Sequence, residues 1–254
     1  MGTSPAAPTG KPARTLLTCG VIAGPLFIAA FLIEGATRTG YDPMRHPVSS
    51  LALGDLGWTQ TLNFLVCGLL TTAFAIGVRR AQGGFWAPLL IGVWAVAMVL
   101  AGVFTGDPIS GYPAGTPALR PEYSGLPALL HDAVAVPGFA ALTIAGIVVA
   151  VRFARRRRYG WAAYSAATAV VFTTSLVLSQ LGFDQLEPWV NHAGLLQRTA
   201  IVTAWTWLTL LGLRLRRAGF PAPHNPENPE DPTPARKPVL PNGPAGARSA
   251  SAAQ

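Results

Sequence analysis

Residues 127–158 read PALLHDAVAVPGFAALTIAGIVVAVRFARRRR. A His-Asp pair stands near the start, an uncharged apolar run continues to Val151, and arginines at 152 and 155–158 close it. A helix needs about 20 apolar residues to cross about 30 Å of hydrocarbon, and this run supplies them. A barrel strand would alternate apolar and polar residues, which this run does not. A helix also satisfies its own backbone hydrogen bonds where there is no water to do so. The stretch therefore predicts a membrane span with its arginine end in the cytoplasm.

Five further runs of the same kind flank it, at 16–34, 60–78, 85–105, 161–183 and 194–213. The expected fold is all-α: a polytopic membrane bundle of six transmembrane helices with both termini inside. Lys11 and Arg14, Arg79 and Arg80, the 152–158 block, and Arg214, Arg216 and Arg217 fall in every second connection. The intervening connections carry only Arg38, Arg45 and Arg120, which sets the orientation. Glu34, Asp42, Asp55, Asp107, Glu122, Asp132, Asp184 and Glu187 all lie on the outer side. Acidic residues contribute little to topology, so their one-sidedness asks for another cause.

Only 12% of the chain is charged, about half the fraction usual in soluble domains. The net charge of +8 is divided among short clusters between apolar runs, so nucleic acid is not an expected partner. The bilayer is. Cys19 and Cys67 lie in or beside apolar runs and form no readable disulfide framework. The organisation expected is a short cytoplasmic segment at 1–14, a transmembrane domain at 15–217 and a disordered cytoplasmic tail at 218–254. The tail is rich in proline and contains His224. Residues 16–33 are too long for a signal-peptide core and read as the first span.

The first outer connection, Tyr41 to Trp58, is the most distinctive stretch. Asp42-Pro43 suits a turn and Ser49-Ser50 suits the cap of a short interfacial helix. Gly54 and Gly57 suit a tight approach, and Trp58 suits the headgroup belt. These roles do not require Arg45 and His46 together. Asp107 ends the third run, and His131-Asp132 lies about a turn inside the fourth, so a short hairpin brings them together at the outer leaflet. Ionisable groups at that depth are costly unless paired or wet, which makes a functional site the default reading. A His-Asp pair locking two helices explains them as well. Gln197 and Arg198 take the corresponding place in the sixth run, with Glu34, Asp184 and Glu187 as expected neutralising partners. A lipid phosphate or carboxylate is the sharper alternative for Arg198.

Asn63, His131 and Gln197 recur at similar intervals, each opening a helix that ends in arginines. That spacing suggests three hairpins built on one plan. Gly20-x-x-x-Gly24 and Gly102-x-x-x-Gly106 permit close helix contact, and Pro25 and Pro137 predict kinks. His46, His131, His192 and Asp107 would have to converge to hold a metal. None shows the i, i+4 spacing of a helical zinc motif, so no metal site is expected.

The Arg45-to-Leu51 stretch, Gly57-Trp58, Asn63-Phe64, Gly106-Asp107-Pro108 and His131 together resemble the domain of unknown function 998 family. The resemblance covers roughly residues 15–215. It implies a multi-pass bacterial membrane protein, expected in the plasma membrane, and no established reaction or cofactor.

Three functions then compete. The first is binding of a lipid headgroup or small ligand at the outer face, with Arg45, His46, Asn63, Asp132, Gln197 and Arg198 as candidate contacts. The second is a lipid hydrolase or transferase with His131 as base, Asp107 as its partner, and Ser49 or Ser50 as nucleophile. No nucleophile elbow accompanies those serines. The third, a small-solute transporter, expects broken helices and polar groups at mid-membrane, whereas here the polar residues gather near one face.

Overall fold

The computed structural model describes residues 11–82, 84–120 and 122–218. The expected tail, with His224, and most of the N-terminal segment lie outside the described residues. Six long helices form: α1 Lys11–Thr37, α2 Gly57–Gln82, α3 Trp86–Val103, α4 Leu126–Arg155, α5 Tyr159–Phe183 and α6 Ala193–Ala218. Each falls on one of the six apolar runs; all but α3, which lies within 85–105, extend past it, because a helix continues into the interface after the hydrocarbon ends. Among the described residues there is no strand, only an isolated bridge between Ile109 and Tyr112.

Each helix packs on its neighbours in sequence, and α6 packs back on α1, so the bundle closes into a ring. The glycines show the directions. Gly77 of α2 meets Leu16 and Leu17 of α1, and Gly68 meets Val99 of α3. Gly138 of α4 meets Ala97, and Gly146 meets Ala169 of α5. Gly182 of α5 meets Ala193, and Gly212 of α6 meets Val21. Every neighbouring pair is therefore antiparallel, and all the arginine clusters gather at one end. Small residues let backbones approach where lipid gives no hydrophobic drive for helices to associate.

The outward and inward faces are those of a protein dissolved in lipid. Ile33, Leu69, Val136 and Val170 are each more than 60% exposed, while Gln60, Ser165 and Ser179 are fully buried. Trp58 at the loop end, and Trp86 and Tyr159 at the arginine end, are exposed where headgroups would lie. Five helices, α1 to α5, are long and apolar enough to cross a membrane. In α6 the polar Gln197 and Arg198 turn into the bundle and are buried. It lies between α1 and α5, and its apolar content is lowered by residues that lipid does not meet. The chain is a multi-pass membrane protein.

A run of aromatic rings, one from each helix, crosses the interior. Phe64 contacts Phe27, Phe27 contacts Trp205, and Trp205 contacts Trp94. Trp94 continues to Phe139 and Phe139 to Phe172, with centroid separations of 5.2 to 6.3 Å along the chain of rings. Such pairs contribute about 0.5–1.5 kcal/mol each beyond the area they bury.

Candidate functional site

Three connections lie at the loop end of the ring, residues 38–56, 104–125 and 184–192, and most of the candidate residues gather about the first two. In the first, the Asp42 carbonyl accepts the amides of Arg45 and His46, and its carboxylate accepts the Met44 amide at 2.8 Å. A 3-10 helix, Val48–Ala52, follows. Pro47 occupies its N-cap position, so Ser49 and Ser50 lie inside this helix instead of capping it.

Arg198 anchors this connection. Its Nη1 donates to the carbonyls of Pro43, His46 and Gly194 at 2.6, 3.0 and 3.0 Å, and its Nη2 donates to the Tyr41 hydroxyl. A carboxylate partner was the expectation for this guanidinium, but carbonyls and a phenol surround it. Glu34 lies 3.7 Å from Arg38, one turn along its own helix. Three converging carbonyl dipoles do for Arg198 what a counter-ion would, at a lower desolvation cost. The site tolerates no side chain at Gly194, where a Cβ would stand 2.6 Å from the Pro43 oxygen and 2.7 Å from the His46 oxygen.

Neighbouring groups complete the clamp. Gln197 accepts the Val48 amide at 2.8 Å. Tyr41 donates to the Pro47 carbonyl at 3.0 Å, and burial pushes its hydroxyl up to about 12. His46 Nδ1 accepts the Asp42 amide at 2.8 Å, and its ring lies against Tyr41 and Tyr112. Burial lowers the His46 pKa, the Asp42 carboxylate opposes that shift, and Arg45 and Arg198 add to it. A ring that accepts an amide proton at Nδ1 must be unprotonated there, so geometry and electrostatics agree.

The second arrangement is a small pocket of about 30 Å³, lined by Ser49, Ser50, Gly106, Asp107, Arg120, His131 and Asp132 together with Ile109. A space that size holds a water or one small polar group. Three separate parts of the chain meet in it: the 3-10 helix, the end of α3 with its loop, and the first turns of α4. Asp107 accepts from the Ser124 amide at 3.0 Å and from the Ser124 hydroxyl. Arg120 reaches Asp132 at 2.9 Å and Asp107 at 3.9 Å, and lies 3.8 Å over the Tyr123 ring.

His131 Nδ1 is 2.7 Å from the Phe104 carbonyl. A carbonyl only accepts, so Nδ1 carries the proton, and in the neutral ring Nε2 is left as an acceptor. The group orienting His131 is thus a main-chain carbonyl, and Asp107 is held by Ser124. Gly106 lets the ring in, because a Cβ there would stand 3.1 Å from it.

The sequence-derived candidates thus separate. Asp107, His131, Asp132, Ser49 and Ser50 come together. His46, Gln197 and Arg198 form the clamp next to them, joined through the short Val48–Ala52 helix. Asn63 faces inward and donates to the Phe27 carbonyl at 3.3 Å and to Gln60. Arg45 is half-buried, with its Nε unpartnered. His192 is exposed near the start of α6. Among the described residues no three His, Cys, Asp or Glu side chains gather closely enough to hold a metal ion. Tyr41, Arg120 and Ser124 were not singled out from sequence. Arg120 alone carried a signal there, as the one basic residue of an otherwise acidic connection.

A family model described as protein of unknown function (DUF998) matches residues 21–214, which include both arrangements. No curated protein and no solved structure matches the chain.

Proposed function

We propose, on the premise that the chain belongs to the DUF998 family, that its loop end is a receptor pocket for the amino group of a small ligand or lipid headgroup on the extracytoplasmic side of the plasma membrane. The observation that carries this reading is the meeting of Asp107, Asp132 and His131 around one small pocket with a single guanidinium among them. Two carboxylates against Arg120 leave an excess of negative charge, and His131 Nε2 and the hydroxyls of Ser49 and Ser50 add acceptors. Such a site favours a compact donor, an ammonium or amine, over an anion. Its volume also excludes a trimethylated ammonium. Arg198, Gln197 and His46 act as positioning residues that hold the Val48–Ala52 helix against the pocket.

The test is thermal unfolding of the purified chain in nanodiscs containing either phosphatidylethanolamine or phosphatidylcholine, with free ethanolamine as a third arm. Binding to the folded state alone stabilises it by about 2.7 kcal/mol at a hundredfold excess over Kd. A rise in Tm with the primary amine, absent with the trimethylated headgroup and lost in Asp107→Asn, is expected. Equal Tm values in the two lipids, with no response to ethanolamine, would remove the proposal.

A second reading, lipid hydrolysis or transfer, draws on the fixed His131 tautomer and the two serines across the pocket. New product from lipid extracts incubated with the wild-type chain, but not with His131→Gln, would favour it over simple binding.

A further inference from the structure

A larger depression lies at the opposite end of the bundle, on the outer surface between α2 and α3. Its volume is about 610 Å³, and its walls are Ile76 on α2 and Leu89, Val93 and Val96 on α3. Gly92 forms part of its floor: a Cβ there would meet only Ala75, at 4.0 Å. Arg79 and Arg80, both exposed, stand at its end where α2 finishes. Arg152 of α4 packs against Gly84 in the same turn. Phe85 and Trp86 stack edge to face beside them, with ring centroids 5.2 Å apart, and are exposed at the start of α3.

Each part of this arrangement answers to a part of one molecule. An apolar trough on a surface that faces lipid admits an acyl chain and gives nothing to a polar solute. Two guanidiniums at headgroup depth, with a third next to them, carry positive charge that favours a phosphodiester. The aromatic pair sits where ring edges meet the interface. Glycine at position 92 keeps the trough wide, since a Cβ there would meet only Ala75, at 4.0 Å, among the described residues.

We propose that the groove between α2 and α3 is a binding site for an anionic phospholipid of the leaflet at the arginine-rich end, with an acyl chain lying along Gly92 and the phosphate held by Arg79 and Arg80. The site shares no lining residue with the loop-end pocket and lies toward the opposite end of the bundle. Its occupant differs as well: the loop-end pocket favours a compact cation, and this groove takes an anion with a long apolar chain.

The test is native mass spectrometry of the full chain released from vesicles of equal parts phosphatidylglycerol and phosphatidylcholine. A parallel labelling arm uses phosphatidylglycerol with a photoactivatable acyl chain. The wild-type chain is expected to retain phosphatidylglycerol over phosphatidylcholine by about thirtyfold, the factor that corresponds to the attraction of two surface arginines. Photolabel is expected on residues 72–96. In the double variant Arg79→Gln, Arg80→Gln the preference should fall to near unity while labelling persists, and in Gly92→Phe labelling of the groove should disappear. Unchanged helicity by circular dichroism, checked for both variants, separates these outcomes from misfolding. Retention of both lipids in equal amounts by the wild-type chain, or labelling distributed evenly over all six helices, would overturn the proposal.

Discussion

The two polar arrangements at the loop end use similar residues to opposite effect. Around Arg198 the donors and acceptors answer one another: a guanidinium meets three carbonyls and a phenol, Gln197 meets an amide, and the His46 ring nitrogen meets another amide. Around His131 the carboxylates also have protein partners, Ser124 for Asp107, Tyr123 for Asp132 and Arg120 for both, but these groups border a pocket. Nδ1 is fixed and Nε2 faces a pocket in which two carboxylates share one arginine. The first closes a loop onto a helix bundle, and the second lines the pocket proposed to take a ligand. Burial alone does not distinguish them, since His46 and His131 are 6% and 7% exposed. What distinguishes them is that the second group borders a pocket.

The largest expected effect lies in the saturated arrangement. Arg198→Ala strips a donor from three carbonyls and the Tyr41 hydroxyl at once, and should cost about 3–5 kcal/mol of stability, read by denaturant titration in detergent. Arg198→Lys should recover only part of this, because an ammonium cannot reproduce the planar fork. A loss below about 1 kcal/mol for the alanine variant would place Arg198 with the unsaturated groups instead.

Asp107→Asn should do the reverse. Ethanolamine affinity is expected to fall by about tenfold or more, while stability changes by only about 1 kcal/mol, since the amide oxygen still accepts from Ser124. Gly106→Ala comes next: its methyl group presses on the His131 ring, and a destabilisation of about 1 kcal/mol with weakened ethanolamine binding is expected from the same thermal assay.

A smaller effect should follow acidification. His46 has a folded-state pKa below its ordinary 6.5, chiefly through burial. Between the two values the unfolded chain binds more protons than the folded one, so the contribution is complete above about pH 6.5 and is lost as the pH falls through the folded value. Hydrogen exchange at the amides of residues 42–46, corrected for intrinsic rates, should quicken between about pH 7.5 and pH 5, and His46→Gln should abolish the change. The smallest effect belongs to the run of aromatic rings. The Trp94 indole N–H is buried without a partner among the described residues. Trp94→Phe removes that unsatisfied donor at the expense of some packing, so a change within about 1 kcal/mol is expected in thermal unfolding.

The bundle was legible in the sequence because lipid imposes long uninterrupted apolar runs and places arginines on one side of them. The meeting of Asp107 with His131 was legible for a topological reason: the third run ends and the fourth begins beside them. Asn63 and His131 also do a similar job, each bonding to a carbonyl of the preceding helix, while Gln197 turns to the first connection. The idea of three like hairpins therefore describes two of these residues better than the third. The environment of Arg198 was not legible. Its partners are main-chain carbonyls of Pro43, His46 and Gly194, and a carbonyl leaves no mark on residue type, so acidic side chains on the same face were the only visible candidates. Arg120 was missed for a related reason. Its role depends on how a connection between α3 and α4 folds back, and no periodicity governs such a path.

The division between a saturated and an open arrangement is tested most directly by the ring-nitrogen shifts of the two histidines, measured by ¹⁵N NMR in nanodiscs as ethanolamine is added. The account predicts that the His131 Nε2 resonance moves with the titration while its Nδ1 stays protonated, and that both His46 nitrogens remain where they began. A titrating His46 beside an indifferent His131 would contradict it.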